Sequence, residues 1–241
     1  MAEAVAPGPA LAHHWTRGKA PTIVFLPGYA SDMTGTKALA LEGWARERGQ
    51  AYLRFDYRGC GASPGQFADM TLADWRDDAV AMIDAVAGPV VLVGSSMGGW
   101  LMLLAALARP DRVAALVGIA AAPDFTDWGF DDADRETMAR DGHLLRPSPY
   151  SDQPTLYTQA LVASGTALRV LAGPIAIDAP VRLIHGQRDP DVPWHHSLTL
   201  AEQLHSADVQ LTLIKDGDHR LSRPHDIAQM IATVEGVIAS C

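Results

Sequence analysis

The chain has 241 residues, 48% hydrophobic and 20% charged, enough to bury the core of one α/β domain and too apolar for a disordered chain. A formal net charge of -9 without any Lys/Arg run excludes a nucleic-acid binder or an anionic-membrane binder. No apolar stretch reaches bilayer-spanning length, so stable membrane insertion is not expected either.

Two cysteines, Cys60 and Cys241, cannot build a disulfide framework and read as free thiols in a reducing compartment. Residues 1–20 lack a basic segment followed by an apolar run, and the resulting expectation is a cytoplasmic protein.

Residues 1–10, rich in Ala, Pro and Gly, form a loose lead-in, and Leu11 to Thr16 read as an edge strand. His13 and His14 there have no third ligand nearby, so no metal site is expected. The continuous apolar run Thr22-Ile23-Val24-Phe25-Leu26 is a buried strand ending at Pro27-Gly28-Tyr29. A helix over 35–49, closed by Gly49, leads to a strand over Ala51–Phe55 and a long loop from Asp56 to Gly65. The next helix, 71–87, opens with Thr71 as its N-cap. Val90-Val91-Leu92-Val93 then runs into Gly94-Ser95-Ser96-Met97-Gly98-Gly99-Trp100 and a helix over 101–108, and Val113–Ala120 is a further strand.

From Ala51 onward strand and helix alternate three times, the pattern of a mostly parallel, doubly wound sheet covered on both faces. The alternation lapses at Asp124 and resumes at Val181, with helical pieces over 131–140 and 155–172 between. An insertion past a strand's C-terminal end overhangs the sheet edge where such folds bind ligands. Residues 124–178 are therefore expected to be a small helical cap on a core of 1–123 and 179–241. Between Asp124 and Asp152 this segment has eight acidic residues against Arg135, Arg140 and Arg146, with Phe125, Trp128, Phe130, Leu144, Leu145 and Tyr150 among them. It reads as acidic outside and apolar toward a cleft. Val181–His185 and Val209–Ile214 are the last strands, with a helix over Pro193–Leu204 between them and one over Pro224–Ile238 after them.

A strand that breaks at G-x-S-x-G and passes at once into a helix is the context of a nucleophile elbow. Gly94 and Gly98 flank Ser96 where side chains would clash, and the turn sets the Ser96 hydroxyl over a helix N-terminus. A serine hydroxyl needs a contacting base and a group orienting that base. His219 is the one histidine on a strand-end loop beside a glycine late in the chain, and it is the expected base. Asp189, on the loop after Val181–His185, is the favoured acid; Asp191 and Asp124 are the alternatives. The expected oxyanion donors are the backbone N–H groups of Met97 and Tyr29. His185 is expected to hold its loop by a hydrogen bond, Asp56, Arg58 and Ser63 to build a structural loop, and Cys60 to lack a placed base.

Phe25-Leu26-Pro27-Gly28-Tyr29, Met33-Thr34-Gly35-Thr36-Lys37-Ala38, and Phe55-Asp56-Tyr57-Arg58-Gly59-Cys60-Gly61 resemble serine hydrolases of the α/β-hydrolase fold. Gly94-Ser95-Ser96-Met97-Gly98-Gly99-Trp100, His185-Gly186 with Asp189 and Val192-Pro193-Trp194-His195, and Asp218-His219-Arg220 extend the likeness. Within that superfamily the sequence is similar to the mitochondrial palmitoyl-protein thioesterase and acyl-glucuronide esterase group and its bacterial relatives, over about residues 20–235. The resemblance implies Ser96 as nucleophile, Asp189 as acid and His219 as base. It implies a hydrolase of small-molecule esters or thioesters, or of an acylated protein, that needs no cofactor or metal. Two other readings share the sequence: C–C bond hydrolysis of a ring-cleavage product by the same triad, and a non-catalytic binding protein on the same fold.

Overall fold

Alternation along β2 (Lys19–Leu26) sends Ile23 and Phe25 to one face of the sheet and Val24 and Leu26 to the other. The same division holds in β4 (Val90–Ser95), with Val91 and Val93 on the first face and Val90 and Leu92 on the second. Strands buried on both faces need helices on both, and the chain supplies them. The first face is covered by α1 (Thr36–Arg48) through Ala38, Leu41 and Ala45, and by the terminal helix, Pro224–Ile238, through Met230, Val234 and Val237. The second is covered by α2 (Leu72–Asp84) through Leu72 and Trp75, and by α3 (Met97–Ala108) through Trp100, Leu101 and Leu104.

The computed structural model describes residues 11–240; the lead-in over 1–10 and the Cys241 thiol lie outside the described residues. Its seven-stranded sheet also contains β1 (His13–Thr16), β3 (Gln50–Phe55), β5 (Val113–Ile119), β8 (Val181–Gly186) and β9 (Val209–Ile214). The order is β1-β3-β2-β4-β5-β8-β9, with β1 antiparallel and every other pair parallel. This is the expected doubly wound α/β sheet. The chain passes from β2 to β3 on one side and back across to β4 on the other. That reversal opens a crevice at the C-terminal ends of β2 and β4.

Helix ends follow the chemistry of their residues. Thr71 caps α2 in a reciprocal capping box with Asp74, and Gly49 closes α1 in a left-handed conformation at φ +62°. The terminal helix, α8 once the intervening helices are counted, begins on Pro224 at its first turn.

Between β5 and β8 the chain departs from the expected pair of helices. It forms α4 (Phe125–Trp128), α5 (Asp132–Asp141), a hairpin of β6 (His143–Arg146) and β7 (Thr155–Thr158), and α6 (Gln159–Ala167). The expected helix over 155–172 is thus a strand for its first four residues. Thr155-Leu156-Tyr157-Thr158 combines two β-branched residues with an aromatic one, types that favour a pleated strand once a partner strand is available. After the hairpin come α7 (His195–Gln203) and α8.

Candidate active site

Ser96 sits between β4 and α3 at φ +55° and ψ -121°, a strained backbone for a residue with a Cβ. The strain is fixed by its neighbours. The Ser96 N–H donates to the Ile119 carbonyl at 3.0 Å, and its carbonyl accepts from Gly99 and Ala122. A Cβ on Gly94 would lie 2.3 Å from the Gly98 oxygen, so only glycine lets the chain fold back this tightly.

His219, on the loop after β9, presents Nε2 to Ser96 Oγ at 3.1 Å and Nδ1 to Asp189 Oδ2 at 2.8 Å. The loop after β8 supplies Asp189, whose side chain is inaccessible to solvent. Asp189 Oδ1 accepts from the Asp191 and Val192 backbone N–H groups, each at 2.8 Å, and Oδ2 also faces His185 Nε2 at 3.1 Å. Burial alone would raise the Asp189 pKa, but hydrogen bonds from His185 and His219 and the His219 charge outweigh it and hold the carboxyl well below the usual range.

Neither alternative acid is hydrogen-bonded to His219 among the described residues. Asp191 accepts from the Tyr150 hydroxyl. Asp124 accepts from the Val170 and Leu171 N–H groups at 2.8–3.2 Å, tying the beginning of the inserted segment to a point 46 residues later. Burial raises the Asp124 pKa against those bonds.

The expected oxyanion donors flank the hydroxyl. Met97 is the first residue of α3, and the Gly28–Tyr29 peptide lies alongside, a Cβ on Gly28 falling 3.3 Å from Ser96 Cβ. Neither the Met97 nor the Tyr29 N–H donates to an acceptor among the described residues. The Tyr29 side chain points into an aromatic cluster: it stacks on Tyr157 at 4.9 Å, meets Phe67, Trp75 and Phe125 at 5.2–5.9 Å, and donates its hydroxyl to the Leu156 carbonyl.

These groups line one cleft of about 1090 Å³ that runs from Ser96 and His219 to Phe125, Phe130 and Tyr157 of the inserted segment. Lys37 and Arg220 line it as well. Burial and the neighbouring Arg220 charge bring the Lys37 amine down to about 8. Phe130 is among the apolar residues expected toward the cleft; Tyr157 is not, because the strand that presents it reads as the start of a helix over 155–172. Asp189, Asp191 and His219 bring three potential metal-ligand atoms within 4.8 Å, but both Asp189 oxygens are already occupied by N–H donors. Cys60 is buried, with its thiol pushed up to about 12 chiefly by desolvation, and no base faces it. Asp56 is structural as expected: its carboxylate accepts from the Met33 and Ala62 N–H groups and joins the loops after β2 and β3.

An elbow serine over a helix N-terminus on a doubly wound sheet defines a hydrolase architecture, and the comparisons with known proteins agree. Residues 23–230 match the alpha/beta hydrolase family, and the chain belongs to it. Over 235 residues it is 43% identical to the palmitoyl-protein thioesterase ABHD10, mitochondrial, of Bos taurus and 41% identical to that of Homo sapiens, covering 95% of this chain and 77% of each relative. The solved structure of alpha/beta hydrolase domain-containing protein 10 from mouse superposes with a TM-score of 0.90 at 39% identity, covering 100% of this chain and 98% of that one. The chain is accordingly a hydrolase enzyme with thioesterase relatives.

The expectation of a cytoplasmic protein is overturned by the same relatives, which are mitochondrial and alike over nearly the whole chain. The cysteine usage and the pattern of residues 1–20, on which that expectation rested, do not encode a compartment. Among the described residues no helix is long and apolar enough to cross a membrane.

Proposed function

We propose that the protein is a serine hydrolase of carboxylic esters and acyl thioesters that works through an acyl-enzyme on Ser96. The observation that carries this reading is the unbroken chain from Ser96 Oγ to His219 Nε2 at 3.1 Å and from His219 Nδ1 to Asp189 at 2.8 Å. His219 takes the Ser96 proton as Oγ attacks the acyl carbonyl, and the resulting imidazolium is stabilised by the Asp189 carboxylate. The carbonyl oxygen becomes an oxyanion facing the Met97 and Tyr29 N–H groups, each worth about 100- to 1000-fold in rate. His219 then protonates the departing alcohol or thiol. Water, deprotonated by His219, repeats the attack on the acyl-enzyme and releases a carboxylic acid.

Residues 124–178 act as a cap, with 1–123 and 179–241 as the core. Phe125, Phe130 and Tyr157 of the cap line the cleft together with the cations Lys37 and Arg220, which suits an apolar acyl group joined to a polar leaving group. The relatives' name supports acyl thioesters as the first class to try, an acylated protein included.

The test is steady-state hydrolysis of matched short- and long-chain acyl thioesters and oxygen esters, together with labelling by a fluorophosphonate. Ser96→Ala is expected to lower turnover at least about 10⁴-fold and to abolish labelling. Unlabelled wild-type Ser96, or turnover that survives in Ser96→Ala, overturns the reading.

A further inference from the structure

We propose that His185 is a positioning residue of the active site: a second imidazole on the Asp189 carboxylate that limits how strongly Asp189 holds a proton on His219. The inference rests on the reading of Ser96, His219 and Asp189 as the reacting set, and goes beyond it by giving a role to a histidine on another element.

His185 is the penultimate residue of β8 and is fully buried. Its Nε2 lies 3.1 Å from Asp189 Oδ2 and 3.0 Å from the Val192 carbonyl oxygen. A carbonyl and a deprotonated carboxylate only accept, so Nε2 carries the hydrogen and shares it between them. Nδ1 lies 2.7 Å from Ser197 Oγ, whose hydroxyl, buried on α7, donates to it in the neutral ring. The relay therefore runs from Ser197 to His185 to Asp189, and meets His219 on the same oxygen, Oδ2.

A histidine that merely anchored its loop would be satisfied by the Val192 carbonyl and Ser197. This one also donates to the atom His219 uses. With two N–H donors on Oδ1 and two on Oδ2, the carboxylate is filled and cannot rotate. Each donor also withdraws charge from it, so Oδ2 attracts the His219 imidazolium less than it would with His219 as its only partner. The other titratable groups facing this set are Asp191, Asp218 and Arg220 from the two loops, Lys37 from α1, His196 from α7 and Tyr150 from the inserted segment. None of them donates a hydrogen bond from its side chain to Asp189.

The experiment uses full-length protein labelled with ¹⁵N-histidine, in wild type, His185→Leu and His185→Gln. In His185→Leu the His219 titration midpoint is expected to rise by about half to one pH unit, because the uncompensated carboxylate then stabilises the imidazolium more. The acidic limb of fluorophosphonate labelling should move up with it, a loss of about 3- to 10-fold near pH 6 with little change on the alkaline plateau. His185→Gln, which can place an amide N–H at the Nε2 position, should return both toward wild type. A folded His185→Leu variant whose midpoint and limb stay put would leave His185 as a loop anchor and overturn the proposal.

Should His185→Leu not fold, His185→Met, which also lacks an N–H donor, takes its place in the same comparison, and the wild-type spectrum adds a second check. Nε2 of His185 must be protonated throughout the titration, and an Nδ1–H tautomer with bare Nε2 overturns the proposal. The titration needs no substrate, so a failure of Ser96 to label in wild type would count against the hydrolase reading alone.

Discussion

A methyl group on Gly98 would lie 2.0 Å from the Leu26 carbonyl oxygen, so the first turn of α3 and the end of β2 meet backbone to backbone. The next oxygen along, that of Pro27, would be 2.5 Å away. Neither partner is a flexible side chain, and relief would require the strand end or the elbow to move. Gly98→Ala is therefore expected to destabilise the fold by about 2–4 kcal/mol in urea titration. Because Leu26 and Pro27 lead directly to Gly28 and Tyr29, surviving activity should fall as well. An alanine variant with wild-type stability would show that the two backbones are not in contact.

Asp189 and Asp124 are both buried acids near a strand end, and they are separable by rate. Asp189→Asn should lower kcat/KM about 10⁴-fold by leaving His219 in the wrong tautomer. Asp124→Asn should lower it less than about tenfold while raising protease sensitivity of the inserted segment, since its partners are the Val170 and Leu171 N–H groups at the neck of that segment. A rate loss at Asp124 equal to that at Asp189 would exchange their roles.

The same residue sets a pH dependence of stability. The Asp189 carboxyl is held below its ordinary range in the folded chain, so on acidification the unfolded chain takes up the proton first. Its contribution is complete above the unfolded value near 3.9 and is lost as pH falls through the folded value. The part of the stability difference between wild type and Asp189→Asn that comes from this carboxyl should thus shrink as pH falls below about 4. A difference that kept growing below about pH 4 would contradict the donor set around Asp189.

The core and the backbone of the Ser96 elbow were legible in the sequence because each is governed by local rules. Continuous apolar runs marked β2, β4 and β5, Gly49 and Thr71 marked helix ends, and the glycines around Ser96 left one backbone path. The hairpin was not legible in that way. His143–Arg146 is four residues long and half exposed, and its strand character comes from pairing with Thr155–Thr158 across a loop. Tyr157 reaches the cleft only through that pairing. Asp124 shows the converse: its residue type gave a candidate acid, whereas its partners are set by where the chain returns at Val170.

Tyr29 separates backbone from side chain. Its N–H is the proposed oxyanion donor, whereas its phenol donates to the Leu156 carbonyl and its ring stacks on Tyr157. Tyr29→Phe keeps the donor and the stack, so kcat for a short acyl thioester should stay within about threefold while stability falls by about 1 kcal/mol. A fall in kcat beyond 100-fold would assign the phenol a part in the chemistry.

Cys60 offers a test of burial by reactivity. With its thiol pushed up to about 12, less than about one part in a thousand is thiolate at pH 8, and the side chain is covered. Native protein should leave Cys60 unmodified by iodoacetamide over hours at pH 8 and modify it fully in denaturant, as read by peptide mass spectrometry. Rapid native labelling would place Cys60 on an exposed loop.

Tyr150 holds the rim of the cleft to both loops that carry reacting groups. Its hydroxyl donates to Asp191, two residues from Asp189, and the Arg220 guanidinium, next to His219, lies 5.4 Å from its ring centroid. Both contacts are exposed, where such interactions contribute about 1 kcal/mol or less. Tyr150→Ala should leave global stability unchanged within about 0.5 kcal/mol. Cleavage within 147–154 by a low concentration of protease should become faster. For an acetyl thioester kcat should be unchanged, because no reacting group moves; for a long-chain thioester KM should rise as the rim ceases to hold the acyl group in place. Equal changes for both substrates would mean that Tyr150 supports the Asp189 loop rather than the mouth of the cleft.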